Sequence, residues 1–211
     1  MRTSILAISA GLTVLVSIFF IFSATASETQ QAEPAKLKTA IFAGGCFWCS
    51  ESDFEKLDGV VSVVSGYTGG KENDPTYNQV AAGRTSHTEA VEVRYDPATI
   101  SYSELVEYFW RTIDPTQANG QFCDKGKQYR SGIFYDGVNQ QKIAEASLVK
   151  LNGNKPFSAP IVTEITAATT FYLAEEYHQD YYKRNSTRYK FYRWNCGRDN
   201  RIEELWGKTH G

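Results

Sequence analysis

The sequence predicts a single α/β domain in which a sheet is covered on at least one face by helices. Three observations carry this expectation. Short β-branched runs alternate along the chain with runs whose apolar residues recur every three to four positions. Clusters of Gly, Pro, Asn and Asp separate them. The region after the first 37 residues, of 211 in all, suits a single domain and is long enough to bury a real core. The sequence leaves the strand order open.

Taken in order, the apolar run Leu37 to Ala43 reads as a strand, and Gly44-Gly45 permits a tight turn. A helix then begins near Cys46, shown by the spacing of Phe54 and Leu57, and ends near Asp58-Gly59. Val60 to Tyr67 is β-branched and reads as a second strand. Thr68-Gly69-Gly70 and Asn73-Asp74-Pro75 mark a long loop, and Thr76 to Ala82 a short helix closed by Gly83. Glu89 to Tyr95 alternates as a strand half-exposed to solvent. Ser101 and Glu104 form a capping-box pattern in front of Leu105, Phe109 and Ile113, which places a helix over Tyr102 to Thr112. Thr116 to Lys127, with Cys123 inside it, reads as a surface loop, followed by a strand over Tyr129 to Tyr135. A helix over Asn139 to Leu151 stops at Asn152-Gly153, and Ile161 to Ile165 is a further strand. Leu173 to Tyr182 reads as helical, and the chain from about Asn185, with Cys196 in its middle, as an irregular tail.

The N-terminus is unlike the rest. Arg2 precedes the apolar run Ile5 to Phe22, and Ala24-Thr25-Ala26 fits a signal-peptidase site. Residues 1–26 therefore read as an export signal and residues 27–37 as a polar linker to a domain over 38–211. An exported, periplasmic or otherwise extracytoplasmic protein is expected; the competing reading is that residues 5–22 stay as a membrane anchor. The net charge is −2, with Lys and Arg interspersed among Asp and Glu, which argues against a nucleic-acid partner. Four cysteines are too few for a disulfide scaffold, although an oxidising compartment permits pairing.

Chemistry concentrates in Gly44-Gly45-Cys46-Phe47-Trp48-Cys49. Cys46 stands at a helix start, where unpaired N–H groups and the helix dipole favour an anion, so its thiol is expected to lose a proton more readily than a free cysteine. That makes it a candidate nucleophile, with Phe47 and Trp48 as walls of a small apolar pocket. The same Cys-x-x-Cys pair could be a thioredoxin-like redox motif, half of a zinc site or a structural disulfide. A zinc site from Cys46, Cys49, Cys123 and Cys196 lacks the second close pair that such sites use. A thiolate also needs an acid for its leaving group, and Glu89 could supply it if a desolvated pocket raised its pKa. On composition alone, Glu89, His87, Tyr77 and Tyr129 have ordinary structural readings.

The order of Gly44-Cys46-Phe47-Trp48, Gly66-Tyr67, Pro75-Thr76-Tyr77, His87-x-Glu89, Tyr95-Asp96-Pro97, Asp114-Pro115, Gln128-Tyr129-Arg130 and Ala174-Glu175-Glu176-Tyr177-His178-Gln179 resembles the A-type peptide methionine sulfoxide reductases. The resemblance implies a two-layer sandwich of ferredoxin-like type and reduction of methionine S-sulfoxide, free or in proteins. It implies Cys46 as nucleophile, Phe47 and Trp48 as methyl pocket, Glu89 as proton donor, Tyr77 and Tyr129 as hydroxyls on the sulfoxide oxygen, and Asp124 as the acidic residue of its loop. Cys46 would pass through a sulfenic acid to a disulfide that a thioredoxin-like dithiol reduces. The resolving thiol stays open between Cys196, Cys123 and Cys49, in that order. Neither cofactor nor metal is expected, and a monomer is. Two readings compete: a thioredoxin-like disulfide oxidoreductase using Cys46 and Cys49, and an exported binding domain held by two disulfides.

Overall fold

The computed structural model describes residues 36–208. The expected export signal and all but the end of the expected linker lie outside them. No helix among the described residues is long and apolar enough to cross a membrane.

The chain folds as β1 (Lys38–Gly44), α1 (Phe47–Phe54), β2 (Val60–Thr68), α2 (Tyr77–Ala81), β3 (Thr88–Tyr95) and α3 (Tyr102–Arg111). A small hairpin of β4 (Gly120–Gln121) and β5 (Asp124–Lys125) follows, then β6 (Ser131–Tyr135), α4 (Gly137–Asn154), β7 (Glu164–Ala167) and β8 (Tyr172–Leu173). Three helices close it: α5 (Tyr181–Arg184), α6 (Ser186–Asn195) and α7 (Arg198–Trp206). Six strands form one sheet in the order β7-β6-β1-β3-β2-β8. Neighbours are antiparallel except β6 and β7, which α4 joins as a parallel crossover. Within it, β6-β1-β3-β2 with α1 and α3 as crossovers is the ferredoxin-like β-α-β-β-α-β unit.

The period of two divides the sheet into unlike faces. Ala40 and Phe42 of β1, Val91 and Val93 of β3 and Ile133 of β6 point to the helical layer. There Phe42 stacks on Phe54 of α1 and Phe109 of α3, at centroid distances of 4.9 and 5.0 Å. Ala43, Ala90 and Phe134 face the other way and are covered by Ala168 and Phe171. Phe171 lies against bare backbone: a Cβ on Gly66 would come within 2.3 Å of its ring, so β2 needs glycine there.

Capping chemistry sets the helix starts as expected. Ser101 Oγ accepts from Glu104 N at 3.2 Å while the Glu104 carboxylate accepts from Ser101 N at 2.8 Å. Gln79 does the same for Thr76 N at 2.9 Å.

Several expectations are corrected. β3 is not half-exposed; it is central in the sheet, and Thr88 to Val91 are all buried. The stretch Thr116 to Lys127 is not a plain surface loop. The Gln121 side chain is fully buried and bonds both Asp114 N and Asp114 O, while Gln117 does the same to Phe122, so two amide side chains replace a missing strand partner. Leu173 to Tyr182 is not one helix but the end of β8, a 3₁₀ turn (Glu176–His178) and the start of α5. The expected irregular tail from about 185 is two helices. Neither has a wide apolar stripe; an ion pair and guanidinium-to-carbonyl hydrogen bonds anchor them instead. Arg193 reaches Asp53 of α1 at 2.9 Å, and buried Arg198 donates to Gly44 O and Thr112 O at 3.1 and 2.8 Å.

Candidate active site

β1 ends in a turn that Gly45 makes at φ +83°, where a Cβ would stand 2.5 Å from Gln121. Cys46 follows as the N-cap of α1, so the apolar strand and the two glycines together fix where the thiol emerges. Beside it Glu89, near the start of β3, points into the helical layer and is 2% exposed. Its carboxyl accepts from Phe47 N at 3.0 Å, taking up one of the free N–H groups at the start of α1.

One cavity of about 80 Å³ collects Cys46, Phe47, Trp48, Tyr77, Glu89, Asp124 and Tyr129, every side chain expected there, together with Tyr192. At about 30 Å³ per water in the liquid, this space takes a group of a few heavy atoms. A larger cleft of about 410 Å³ runs along Lys38, Tyr95 and Asp136, but it brings no thiol and no buried acid. Cys49, Cys123 and Cys196 do not line the cavity.

The walls are held from behind by residues without an assigned role in the sequence reading. The Trp48 indole N–H donates to His178 Nδ1 at 3.1 Å, its ring stacks on Tyr181 at 3.7 Å, and Tyr192 meets it edge-on at 5.8 Å. His178 therefore carries its proton on Nε2, and burial lowers its pKa, keeping it neutral. Glu175 accepts from Tyr67 OH and Tyr77 N, both at 2.8 Å. Gln179 bonds Ser65 N and O as an extra strand would. The segment Glu175-Glu176-Tyr177-His178-Gln179 thus serves the site as scaffold. Tyr192 was hidden in what read as an irregular tail; its hydroxyl donates to the Asp124 carboxylate.

Protonation follows from burial. The Glu89 carboxyl is pushed up to about 8, first by desolvation, against the pull of the Phe47 N–H, with the Asp124 charge adding to it. Glu89 is therefore a neutral acid at pH 7. Tyr77 is raised to about 12 by burial and by the neighbouring Glu89 and Cys46. Tyr129 and Tyr192 are also raised by burial, so all three hydroxyls remain donors. The Cys46 thiol goes up, not down, which corrects the expectation of an easily lost proton. Burial is the largest cause, with the Cys49 side chain, Glu89 and Asp124 adding to it, and these outweigh the helix terminus. Cys49 is lowered, first by its hydrogen bond from Cys46 and also by the Arg198 and Arg193 charges, against its own burial.

The cysteines fall into two pairs. Cys46 and Cys49 are free and buried, with Cys49 packed against Tyr181 and Tyr189. Cys123 and Cys196 form a disulfide. The four sulfurs therefore do not gather into one zinc site. Cys196 is not on a loose tail either: it caps α6, and α7 begins two residues later.

A family model described as peptide methionine sulfoxide reductase matches residues 38–210. A Listeria innocua protein named peptide methionine sulfoxide reductase MsrA is 50% identical over 170 residues, 81% of this chain and 96% of that one. A Vibrio cholerae protein named peptide methionine sulfoxide reductase MsrA/MsrB is 43% identical over 93% of this chain, which spans about half of it, 52%. Among solved structures, methionine sulfoxide reductase A of Corynebacterium diphtheriae is 37% identical with a TM-score of 0.65, over 74% of this chain and 77% of that one.

Proposed function

The chain belongs to the peptide methionine sulfoxide reductase family, and we propose that its cavity reduces the S epimer of methionine sulfoxide with Cys46 as nucleophile and Glu89 as proton donor. The single observation that carries this reading is a buried, neutral carboxyl and a buried thiol lining one small cavity with two tyrosine hydroxyls.

With no substrate bound, the thiol keeps its proton, first because it is buried and then because the Cys49 side chain and the Asp124 charge disfavour an anion there. A sulfoxide changes that balance. Its methyl group fits against Phe47 and Trp48, and its oxygen faces Glu89, Tyr77 and Tyr129. As Glu89 protonates the oxygen, the sulfur gains positive character and draws Cys46 Sγ onto itself. The Cys46 proton makes good the one Glu89 gave up. The substrate S–O bond and the new Sγ–S bond then break as the oxygen passes to Cys46 Sγ, so methionine leaves as the thioether and Cys46 is left as a sulfenic acid.

A second thiol then expels that oxygen as water and leaves a disulfide. We assign this step to Cys196, with Cys123 exchanging next to free Cys46 as a thiol; the Cys123–Cys196 disulfide is the end state of that sequence. Asp124 supports the assignment, since it lines the cavity, follows Cys123 directly and is held by Tyr192, four residues before Cys196. An external dithiol of thioredoxin type reduces the pair through its exposed member, Cys123. The burial of both Cys46 and Cys49 weighs against a general disulfide oxidoreductase working through them.

The test is turnover of separated S and R epimers of a methionine sulfoxide peptide with dithiothreitol. Reduction confined to the S epimer is expected, and equal turnover of both epimers, or insulin reduction without sulfoxide reduction, contradicts the reading.

A further inference from the structure

The Asp124 carboxylate stands beside both sulfurs of the Cys123–Cys196 disulfide. Cys123 Sγ lies 3.9 Å from its Oδ1, and Cys196 Sγ lies 4.0 Å from its Oδ2. The three side chains present one sulfur, one sulfur and one carboxylate oxygen within 4.8 Å of one another. Cys123 is exposed while Asp124 and Cys196 are half-buried, so the group opens to solvent on one side only.

We propose that, once this disulfide is reduced, Cys123, Cys196 and Asp124 bind one thiophilic divalent cation such as Zn²⁺, leaving its fourth position to water. A tetrahedral ion with bonds of about 2.3 Å to sulfur and about 2.0 Å to oxygen needs S···O edges of about 3.5 Å and an S···S edge of about 3.8 Å. Each sulfur already lies within about half an ångström of that edge from one carboxylate oxygen, Cys123 from Oδ1 and Cys196 from Oδ2, and a turn of the carboxylate brings a single oxygen to both. Cleaving the S–S bond moves the sulfurs apart to non-bonded contact, which is the remaining edge. Two thiolates and one carboxylate suit a soft cation over Mg²⁺ or Ca²⁺. The other acid cluster, Glu51, Glu55 and Asp180, is different: Lys183 already fills it at 2.6 Å from Glu55 and 2.7 Å from Asp180.

The site is gated by redox state. A phosphine reductant takes one oxygen from water, becomes the phosphine oxide and leaves two electrons and two protons on the disulfide as two thiols. The cation then displaces those two protons. Bound metal holds both thiols away from Cys46, so it stops recycling while sparing the first reduction.

The experiment uses the full chain carrying Cys46→Ser and Cys49→Ser, so that only the second pair can answer. The protein is reduced with phosphine, desalted without oxygen and titrated with ZnCl₂ or CdCl₂, reading proton release and the ultraviolet thiolate-to-cadmium band. Binding of one equivalent with release of about two protons is expected, and none before reduction. Adding Cys123→Ser or Cys196→Ser removes the band, and adding Asp124→Ala weakens binding at least about tenfold. Equal binding before and after reduction, or binding unchanged by Cys123→Ser, overturns the site. Binding that Asp124→Ala leaves within about twofold overturns the carboxylate's part in it. None of these readouts depends on sulfoxide reduction.

Discussion

Cys46–Cys49 and Cys123–Cys196 are two thiol pairs in opposite settings. The first is buried under aromatic rings, beside a neutral acid, in its reduced form. The second is joined as a disulfide, with Cys123 exposed, on a hairpin loop and a helix end. The difference teaches that pairing by sequence spacing is not pairing by role. Cys46 and Cys49 share a motif, but burial suits Cys46 to attack a small dry substrate, whereas the exposure of Cys123 suits its disulfide with Cys196 to meet another protein's thiol. Arg198 and Tyr192 join the two settings, one by bonding the Gly44 carbonyl and the other by bonding Asp124.

The largest effect that could break this division is at Cys46. Cys46→Ser is expected to lower turnover by at least about 10⁴-fold in a methionine-release assay. Residual activity near wild type would place the nucleophile elsewhere. Glu89→Gln keeps the shape and removes the proton, so sulfenic acid formation measured in a single turnover should fall by about 10²–10⁴-fold. The same variant should lose the decline of the first step as pH rises through about 8, where wild-type Glu89 ionises.

The stability of the fold also falls as pH rises, over a window that starts lower. Glu89 ionises near 4.5 in the unfolded chain and near 8 in the fold, so the unfolded state sheds its proton first as pH rises. Its contribution to stability is fully present below about 4.5 and is lost up to about 8, at about 1.4 kcal/mol per pH unit. Urea denaturation should therefore show Glu89→Gln gaining on wild type across that window, and parallel curves would refute the raised carboxyl. The smallest effect sharpens the link between the two settings. Tyr192→Phe removes the hydrogen bond to Asp124 and is expected to cost about 1–2 kcal/mol in the same denaturation. It should slow recycling more than the first step; the reverse would make Tyr192 part of the sulfoxide chemistry.

Much of this was legible in the residues. Strand-turn-helix around Gly44-Gly45-Cys46 and the Ser101 capping box rest on local rules, and they hold. The side chains that the motif order implies are among those that line the cavity. What was missed depends on contacts far apart in sequence. Helices α6 and α7 carry no apolar stripe for a periodicity reading to find, because Arg193, Arg198 and Tyr192 anchor them through Asp53, two backbone carbonyls and Asp124. Gln121 looked like a loop residue because nothing local shows its amide replacing a strand. The Cys46 thiol is raised rather than lowered for the same reason: the helix terminus is local and visible, whereas the burial that outweighs it, with Asp124 and Glu89 adding, comes from elements distant in sequence.

The most direct test of the division counts methionine released by fully reduced enzyme given excess sulfoxide and no reductant. If Cys46 attacks and Cys123–Cys196 resets it, wild type should release about two methionines per chain: one as the disulfide forms, and one as the freed Cys46 is oxidised again. Cys196→Ser should stop at about one and Cys46→Ser at none. A wild-type yield of about one, or a Cys196→Ser yield of about two, would contradict the account.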